Sequence, residues 1–212
     1  TAIDAPAAAG SNTLVLPADN GSANEFLQTN GSGTLDWAAA GNASWTDKAE
    51  VSLSGANTAS FTGLPSNIKL ALLTWRDMRH TNNLNASSDY GVRLGHSSTT
   101  WLTSGYDDSQ MIHYQSTSSG GSGASTNTMR INYGWTTNGD VSNGHMLLFP
   151  SSTQERWYWE TFSKKEGNNR FSGGYGFINM GGGNTLTGIQ VHTLDFANNF
   201  DDGAVNLHFL TA

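Results

Sequence analysis

Short segments in which apolar and polar residues alternate recur along most of this chain, and turn residues separate them. A period of two places apolar side chains on one face of a β-strand, and a spacing of roughly 10–18 residues is typical of a sandwich or jelly roll. No stretch longer than about ten residues shows the 3.6-residue period of a helix. The chain is therefore predicted to be all-β, with strands in residues 50–54, 57–61, 68–76, 90–95, 110–115, 128–133, 145–149, 155–162, 174–180, 187–194 and 204–210.

Composition favours a folded, turn-rich protein. Charged residues make up 13% of the 212 residues, about half of the usual ~25%. Such polarity can indicate disorder, but seven Trp, nine Phe and six Tyr supply large side chains for a core.

The net charge of −7, without a basic stripe, argues against nucleic-acid binding. No Cys is present, so disulfides and thiolate metal sites are excluded, and no apolar run approaches the ~18 residues of a membrane span.

The N-terminal part of the chain predicts a small two-hairpin β-ribbon. The ribbon has few apolar side chains, and burying them cannot offset the entropy cost of ordering it, roughly 1–2 kcal/mol per residue for the backbone alone. The ribbon therefore needs a partner surface, and the simplest partner is another copy of itself. We assign residues 1–41 to an extended linker and this connector, and residues 42–212 to a head domain. The strand-like pieces are residues 14–16, 26–29 and 34–37, separated by turn signals at Asp19–Gly21 and Asn30–Gly33.

This N-terminal stretch resembles the linker module that precedes head domains in phage tail-fibre and related virion-fibre proteins. In that family, LP is followed by a Gly-rich turn, a short FLQT-like or VLTT-like strand, and DGSG-x-L-x-W. The matching sequence here is LPADNGSANEFLQTNGSGTLDWA, with Asn30 where Asp is common. The chain starts at Thr1 without the basic and apolar regions of a signal peptide, and we expect it to be a piece of a longer protein.

Four short motifs in the rest of the chain resemble the heads of the same fibre family and occur in the family's order. Those heads start with a strand like I-x-L-S-G-x-x-x-x-x-F-T-G-I-P and carry a V-x-L-G strand and a TTGY-like segment. They close with a strand like F-D-x-G-x-I-N-I-x-Y. Residues 107–172 match no part of this pattern, so receptor specificity is not carried over. The matching segments here are Val51–Gly55 with Phe61–Ser66 and Ile68–Leu70, Val92–Gly95, Thr103–Tyr106 and Phe200–Phe209.

The resemblance implies a homotrimeric fibre on the surface of a virus particle, with an antiparallel, jelly-roll-like β-sandwich head at its distal end. The head is expected to recognise a bacterial surface glycan or protein, and three weak sites would gain avidity. The N-terminal end is expected to contact other virion proteins, with no cofactor, no nucleic acid and no membrane insertion. Two alternatives stay open: a capsid, collar or decoration protein without receptor binding, and a polysaccharide-degrading tailspike.

Aromatic residues near turns are candidates for receptor contacts, because the apolar faces of sugars stack on aromatic rings. Trp101, Tyr106 and Trp135 lie near turn-rich segments and are candidates for exposed rings. Trp157 and Trp159 share one face of a predicted strand, and we assign that face to the core or to a trimer interface.

Charged residues concentrate in Arg76–Asn83, a segment that we predict to be a loop. Arg79 and His80 lie within it and are candidates for contacting an acidic glycan. A solvated loop without a binding role is the alternative interpretation.

Little in the sequence supports catalysis or metal binding. Glycoside hydrolysis needs two carboxylates about 5–9.5 Å apart, and Glu155 and Glu160 fall on opposite faces of a predicted strand. The segment Gly120–Ala124 lacks the final Gly of a Gly-x-Ser-x-Gly elbow. None of the six His residues occurs at His-x-His or His-x-x-x-His spacing. We therefore predict that the protein is not an enzyme and has no metal site within one chain; one His per chain on a trimer axis is left open.

Overall fold

The computed structural model describes residues 14–40, 43–79, 90–97, 100–113, 118–119, 127–131, 141–166, 170–194, 196 and 198–211. Within these residues every regular element is a β-strand, and all strands pair antiparallel. The predicted all-β class is thus confirmed. The described strands are β1 Glu25–Thr29, β2 Leu35–Ala39, β3 Ser44–Asp47, β4 Val51–Ser52, β5 Thr58–Thr62, β6 Ile68–Arg79, β7 Tyr90–Ser97, β8 Thr100–Trp101, β9 Tyr106–His113, β10 Ser118–Ser119, β11 Met129–Arg130, β12 Ser142–Pro150, β13 Arg156–Lys165, β14 Arg170–Asn179, β15 Gly188–Thr193 and β16 Asp202–Thr211.

The chain divides into two compact units, Thr1–Asn42 and Ala43–Ala212. In the first unit, β1 and β2 form a hairpin from Glu25 opposite Ala39 to Thr29 opposite Leu35. The part of the chain that is described contains no helix long and apolar enough to cross a membrane.

The predicted first hairpin of the ribbon does not form. Val15 instead makes a parallel bridge to Thr34, donating its N–H to the Gly33 carbonyl at 2.9 Å. Pro17 has no backbone N–H for a ladder, which disfavours a regular strand after Leu16.

The segment between Val15 and β1 folds over Trp37 of β2. The Trp37 indole N–H donates to the Asp19 carbonyl at 3.1 Å. Gly21 has a φ of 67°, and a Cβ at this position would lie 2.6 Å from the Trp37 ring. Glycine is required here both for the left-handed backbone and for the close approach to the ring.

The second unit, the head, contains two antiparallel sheets. The large sheet has the order β10-β9-β14-β13-β12-β6-β16-β3, and β4 also pairs with β16. The small sheet has the order β11-β7-β15-β5, and β8 also pairs with β7. Side chains from both sheets belong to one buried cluster, an arrangement consistent with a β-sandwich; its members include Leu73, Trp157, Trp159, Val205 and Leu207 from the large sheet and Val92, Leu94, Ile189 and Val191 from the small sheet.

Alternation in β13 and β16 predicts one core face on each strand, and both predictions are confirmed. Trp157 and Trp159 are both fully buried, with 0% and 1% exposure. On β16, Val205, Leu207 and Phe209 point into the same core, as their period of two predicts.

Alternation in β6 predicts that Ile68, Leu70 and Leu72 share the face toward the core, and this prediction is wrong. Ile68 is buried, but Leu70 and Leu72 are only half-buried, while Ala71 and Leu73 are fully buried. The register between β6 and β16 shifts by one residue near Ile68, where β6 carries a bulge. Because side chains alternate with a period of two, this extra residue places Leu70 and Leu72 on the opposite face from Ile68.

Buried tryptophans pack over glycines of the neighbouring strand. Trp159 is the register partner of Gly176, and a Cβ on Gly176 would lie 2.8 Å from the Trp159 ring. Trp75 pairs in the same way with Gly144, where a Cβ would lie 2.6 Å from the ring. The glycines give each indole a flat backbone surface to cover, and the indole in turn shields that backbone from water.

In the head each predicted strand overlaps an observed one, and the sequence missed β3, β8 and β10. These are short strands, and the described side chains of β3 are all exposed. Such strands form because a neighbouring strand offers hydrogen bonds, so their sequences carry no alternation to detect.

Candidate binding surfaces

Only two of the predicted receptor contacts lie where a ligand can reach their described side chains, and the structure does not group them. His80 and Trp135 lie outside the described residues. Arg79 is not in a loop but ends β6, where its guanidinium pairs with the Asp202 carboxylate at 3.2 Å. Both side chains of this pair are exposed, so Arg79 remains accessible but is already engaged with an anion.

Tyr106 is not an exposed ring, and we correct that expectation. Its side chain is 4% exposed. The hydroxyl accepts the Leu94 backbone N–H at 3.0 Å and donates to the Leu102 carbonyl at 3.1 Å. Burial raises the pKa of Tyr106, so the phenol stays protonated. Tyr106 therefore ties the segment after β8 to β7, and does not present its ring to a ligand.

Trp101 is half-buried on the outer face of the small sheet. It lies over two neighbouring glycines, because a Cβ on Gly95 would come within 3.1 Å of the indole and a Cβ on Gly188 within 3.0 Å. Gly95 and Gly188 are register partners on β7 and β15. The ring is therefore held flat by backbone on one side.

Planar polar groups lie on the same outer face, two residues along β7 and β15 from the glycines under Trp101. Arg93 and Gln190 are register partners, and the Gln190 amide donates to Ser60 Oγ at 3.0 Å. We call the surface formed by Trp101, Arg93, Gln190 and the two glycines Gly95 and Gly188 the Trp101 patch. Gln190 is only 8% exposed, so the half-buried indole of Trp101 and guanidinium of Arg93 are the main groups that a sugar can reach, one for stacking and one for hydrogen bonds.

A stack of half-buried Phe196 on buried His192 anchors Arg93. Its guanidinium carbon lies 4.2 Å from the centre of the Phe196 ring, and Phe196 stacks on His192 at 4.3 Å. The His192 Nδ1–H donates to the Thr193 carbonyl at 2.9 Å, and Nε2 lies 2.9 Å from the Thr128 hydroxyl. Burial lowers the pKa of His192 to about 4, so the imidazole is neutral at pH 7 and its ring is available for stacking.

A second candidate surface is the outer face of the large sheet. We call this surface the apolar face. In the described head, the large apolar side chains with the greatest exposure all lie on it. They alternate with core residues on their strands, so both faces of this sheet are apolar. The most exposed members are Trp45, Met111, Phe149, Phe162, Phe171 and Tyr175, and half-buried Leu70, Leu72, Leu147, Tyr158 and Phe177 lie between them.

Aromatic rings touch across neighbouring strands of the apolar face. Phe149 stacks on Tyr158 with ring centres 5.8 Å apart, and Tyr158 lies 6.4 Å from Phe177. Phe162 contacts Phe171 in the same way at 5.6 Å. Cross-strand aromatic pairs stabilise a sheet, but their outer surfaces here remain in water.

Charged side chains lie mainly at the edge of the apolar face. At one end the Arg76 guanidinium bonds Glu50 at 2.9 Å, and Asn206 donates to the same carboxylate at 3.1 Å. These hydrogen bonds, that of Arg76 first, lower the pKa of Glu50. At the opposite end Arg156 lies over Phe177 at 4.8 Å.

The sequence itself contains a signal for the apolar face. In Arg156–Phe162, aromatic residues occupy positions of both parities, so one set must face away from the core. Strands with two apolar faces are typical of sheets that are covered on both sides.

Among the described residues, no three His, Asp or Glu side chains come together as a metal site would require. No protein-family model matches this chain, and a search of curated proteins also finds no match.

Proposed function

We propose that the chain is a virion-fibre or spike protein, not an enzyme, whose head recognises the surface of a bacterial host. The observation that carries this proposal is the pairing of two unlike units: a small ribbon that leaves its apolar side chains in water, and a larger two-sheet head. In the ribbon unit Leu14 is 61% exposed, Leu16 67% and Phe26 48%. Exposed apolar side chains on so small a unit favour an assembly in which copies cover one another.

The sequence resemblance to fibre linkers and heads supports a homotrimer as the form of this assembly. Three copies of the ribbon would bury the side chains that one copy exposes, and three jelly-roll-like heads would be carried at the distal end. Trimerisation also suits host attachment, because three linked weak sites raise the effective concentration of each.

The Trp101 patch is the best-supported receptor site, with a surface glycan as the receptor class. Its indole is backed by glycines, and its guanidinium and amide are held by Phe196 and Ser60. A rigid aromatic platform with positioned polar groups binds a sugar without a large ordering cost.

The test is binding of the full chain to a panel of bacterial cells and to an array of their surface glycans, followed by inhibition of phage adsorption. Trp101→Ala is expected to weaken binding about tenfold or more, equal to about 1.4 kcal/mol. Trp101→Phe keeps a ring over the glycines and should retain most of the affinity. Arg79→Ala tests the other accessible candidate and is expected to change the affinity less than threefold.

Each of the other outcomes would replace the proposal. Absence of binding across the panel, with no effect on adsorption, would favour a purely structural particle protein. Release of oligosaccharides from host capsule would favour a polysaccharide-degrading spike. Unfolding temperatures of the variants must match the wild type for the comparison to report on binding.

A further inference from the structure

The apolar face has the chemistry of a protein interface more than that of a sugar site. Phe149, Phe162, Phe171 and Met111 are exposed and carry no polar group with which to orient a sugar hydroxyl. Aromatic residues and Met are enriched in the centres of protein–protein interfaces, and charged residues are depleted there. Most of the charges lie toward the ends of the face, and Glu160 is the exception, because it lies between Leu147 and Tyr175 in the register.

The size of the apolar face suits a stable interface. Seven neighbouring strands from β3 to β9, at about 4.8 Å spacing, span about 29 Å, and three rows of outward side chains span about 14 Å along them. The flat projection is about 400–500 Å², and protruding rings increase the accessible area. A standard interface buries about 800 Å² per partner, so the flat projection alone provides about half of one.

The charges on the face are of both signs. Arg156 and Lys164 project outward from β13, as does Glu160 between them. Asp47 on β3 bonds His208 at 2.6 Å near one edge, and Asp107 on β9 is exposed near the other. A surface that meets a copy of itself must carry both signs to be self-complementary, whereas a surface for one charged ligand needs only one.

We propose that the apolar face packs against the same face of further copies of this chain, so that the heads associate through the large sheets and leave the small sheets outward. This inference rests on the proposed fibre function and deepens it by naming the surface that joins the heads. It also leaves the Trp101 patch, on the small sheet, free for the receptor.

Thiol labelling of the full chain tests the proposal, because the chain contains no Cys of its own. Tyr175→Cys places a thiol on the apolar face, at a position that is 68% exposed in one chain. Ser60→Cys places an exposed thiol on the small sheet as the matched control. At about 100 µM protein, maleimide is expected to label the Tyr175→Cys variant at least tenfold more slowly than the Ser60→Cys variant. Similar labelling rates for the two variants would overturn the proposal.

Sedimentation velocity provides the second measurement. Phe149→Thr with Phe162→Thr removes two central rings while keeping a residue suited to strands, and Lys164→Thr changes only the edge. The double variant is expected to weaken association at least 100-fold, and Lys164→Thr less than threefold. In a background with Phe26→Thr and Leu27→Thr, which weakens the ribbon contact, the double variant is again expected to weaken association more than Lys164→Thr does.

The outcomes separate this inference from the fibre function. An oligomer that is unchanged by the double variant in the ribbon-weakened background would overturn the inference and leave the fibre function standing. A wild-type monomer at about 100 µM would overturn it as well. If the double variant then lost binding to host cells, the face would be assigned to the receptor instead.

Discussion

Replacing Gly176 with Ala should destabilise the head by about 2–4 kcal/mol, although Ala is among the smallest changes that can be made. Gly176 faces inward on β14, between Trp159 and β9. A Cβ at this position would lie 1.9 Å from the Asp107 carbonyl oxygen and 2.8 Å from the Trp159 ring. Neither neighbour is a flexible side-chain end that can move aside easily.

The magnitude follows from how far the structure must move. Real Cβ atoms essentially never approach a heavy atom within 3.0 Å, so β9 must recede from Gly176 by about 1 Å. Overpacking of this kind costs about 1–3 kcal/mol, and each ladder hydrogen bond lost between β9 and β14 costs about 1 kcal/mol more. The reduced entropy of the unfolded chain returns about 0.4–1 kcal/mol.

Gly173 provides the matched control on the same strand. A Cβ there would meet only the Thr161 carbonyl oxygen, at 3.5 Å, which is an ordinary contact. Because the entropy gain is the same and the clash is absent, Gly173→Ala is expected to change stability by less than about 1 kcal/mol.

The assay is thermal unfolding followed by circular dichroism and Trp fluorescence, with all variants at one protein concentration. For a domain of this size 1 kcal/mol shifts Tm by about 2–4 °C, so Gly176→Ala should lower Tm by about 4–16 °C and Gly173→Ala by less than about 4 °C. If Gly176→Ala melted within about 2 °C of the wild type, or if both variants shifted equally, the packing of Trp159 against this glycine would be wrong.

Two further predictions concern buried polar groups. Because the pKa of His192 is about 4 in the folded head and 6.5 in the unfolded chain, the unfolded state binds more protons below pH 6.5. The contribution of His192 to the free energy of unfolding is therefore fully present above pH 6.5, and it falls by up to about 3 kcal/mol as the pH drops to 4. Urea unfolding at pH 7 and 4.5 should show a smaller loss in His192→Gln than in the wild type, and an equal loss would contradict the assignment. Tyr106→Phe removes the hydroxyl that bonds Leu94 and Leu102, and should lower the free energy of unfolding by about 1–3 kcal/mol. A change below about 0.5 kcal/mol at constant pH would show that this tie is not formed, and exposed Tyr175→Phe serves as the control.

Local chemistry in the sequence determined most of the strands. Alternation located the segments of β5, β6, β12, β13 and β16, because a pleated strand places every second side chain on one face. On β16 alternation also predicted the core face: Val205, Leu207 and Phe209 are buried as expected. Trp157 and Trp159 followed the same rule.

The candidate site was less predictable, because exposure depends on what packs against a residue. Tyr106 lies beside turn residues but is buried, since its hydroxyl finds partners on β7 and on the segment after β8. Trp101 has a similar local sequence and remains half-exposed over two glycines from strands far apart in the chain. Nothing within a few residues of either ring distinguishes the two cases.

The sequence by itself therefore determined that this chain forms short antiparallel strands with a large supply of aromatic residues. Only the tertiary structure decided which face of each strand the other sheet covers. On β6 a single bulge moves Leu70 and Leu72 from the predicted core face to the outer face. On β13 the indoles of Trp157 and Trp159 went to the core and Tyr158 and Phe162 to the apolar face. A period of two shows that a strand has two faces but not which of them is buried, because burial depends on the long-range packing of one sheet on the other.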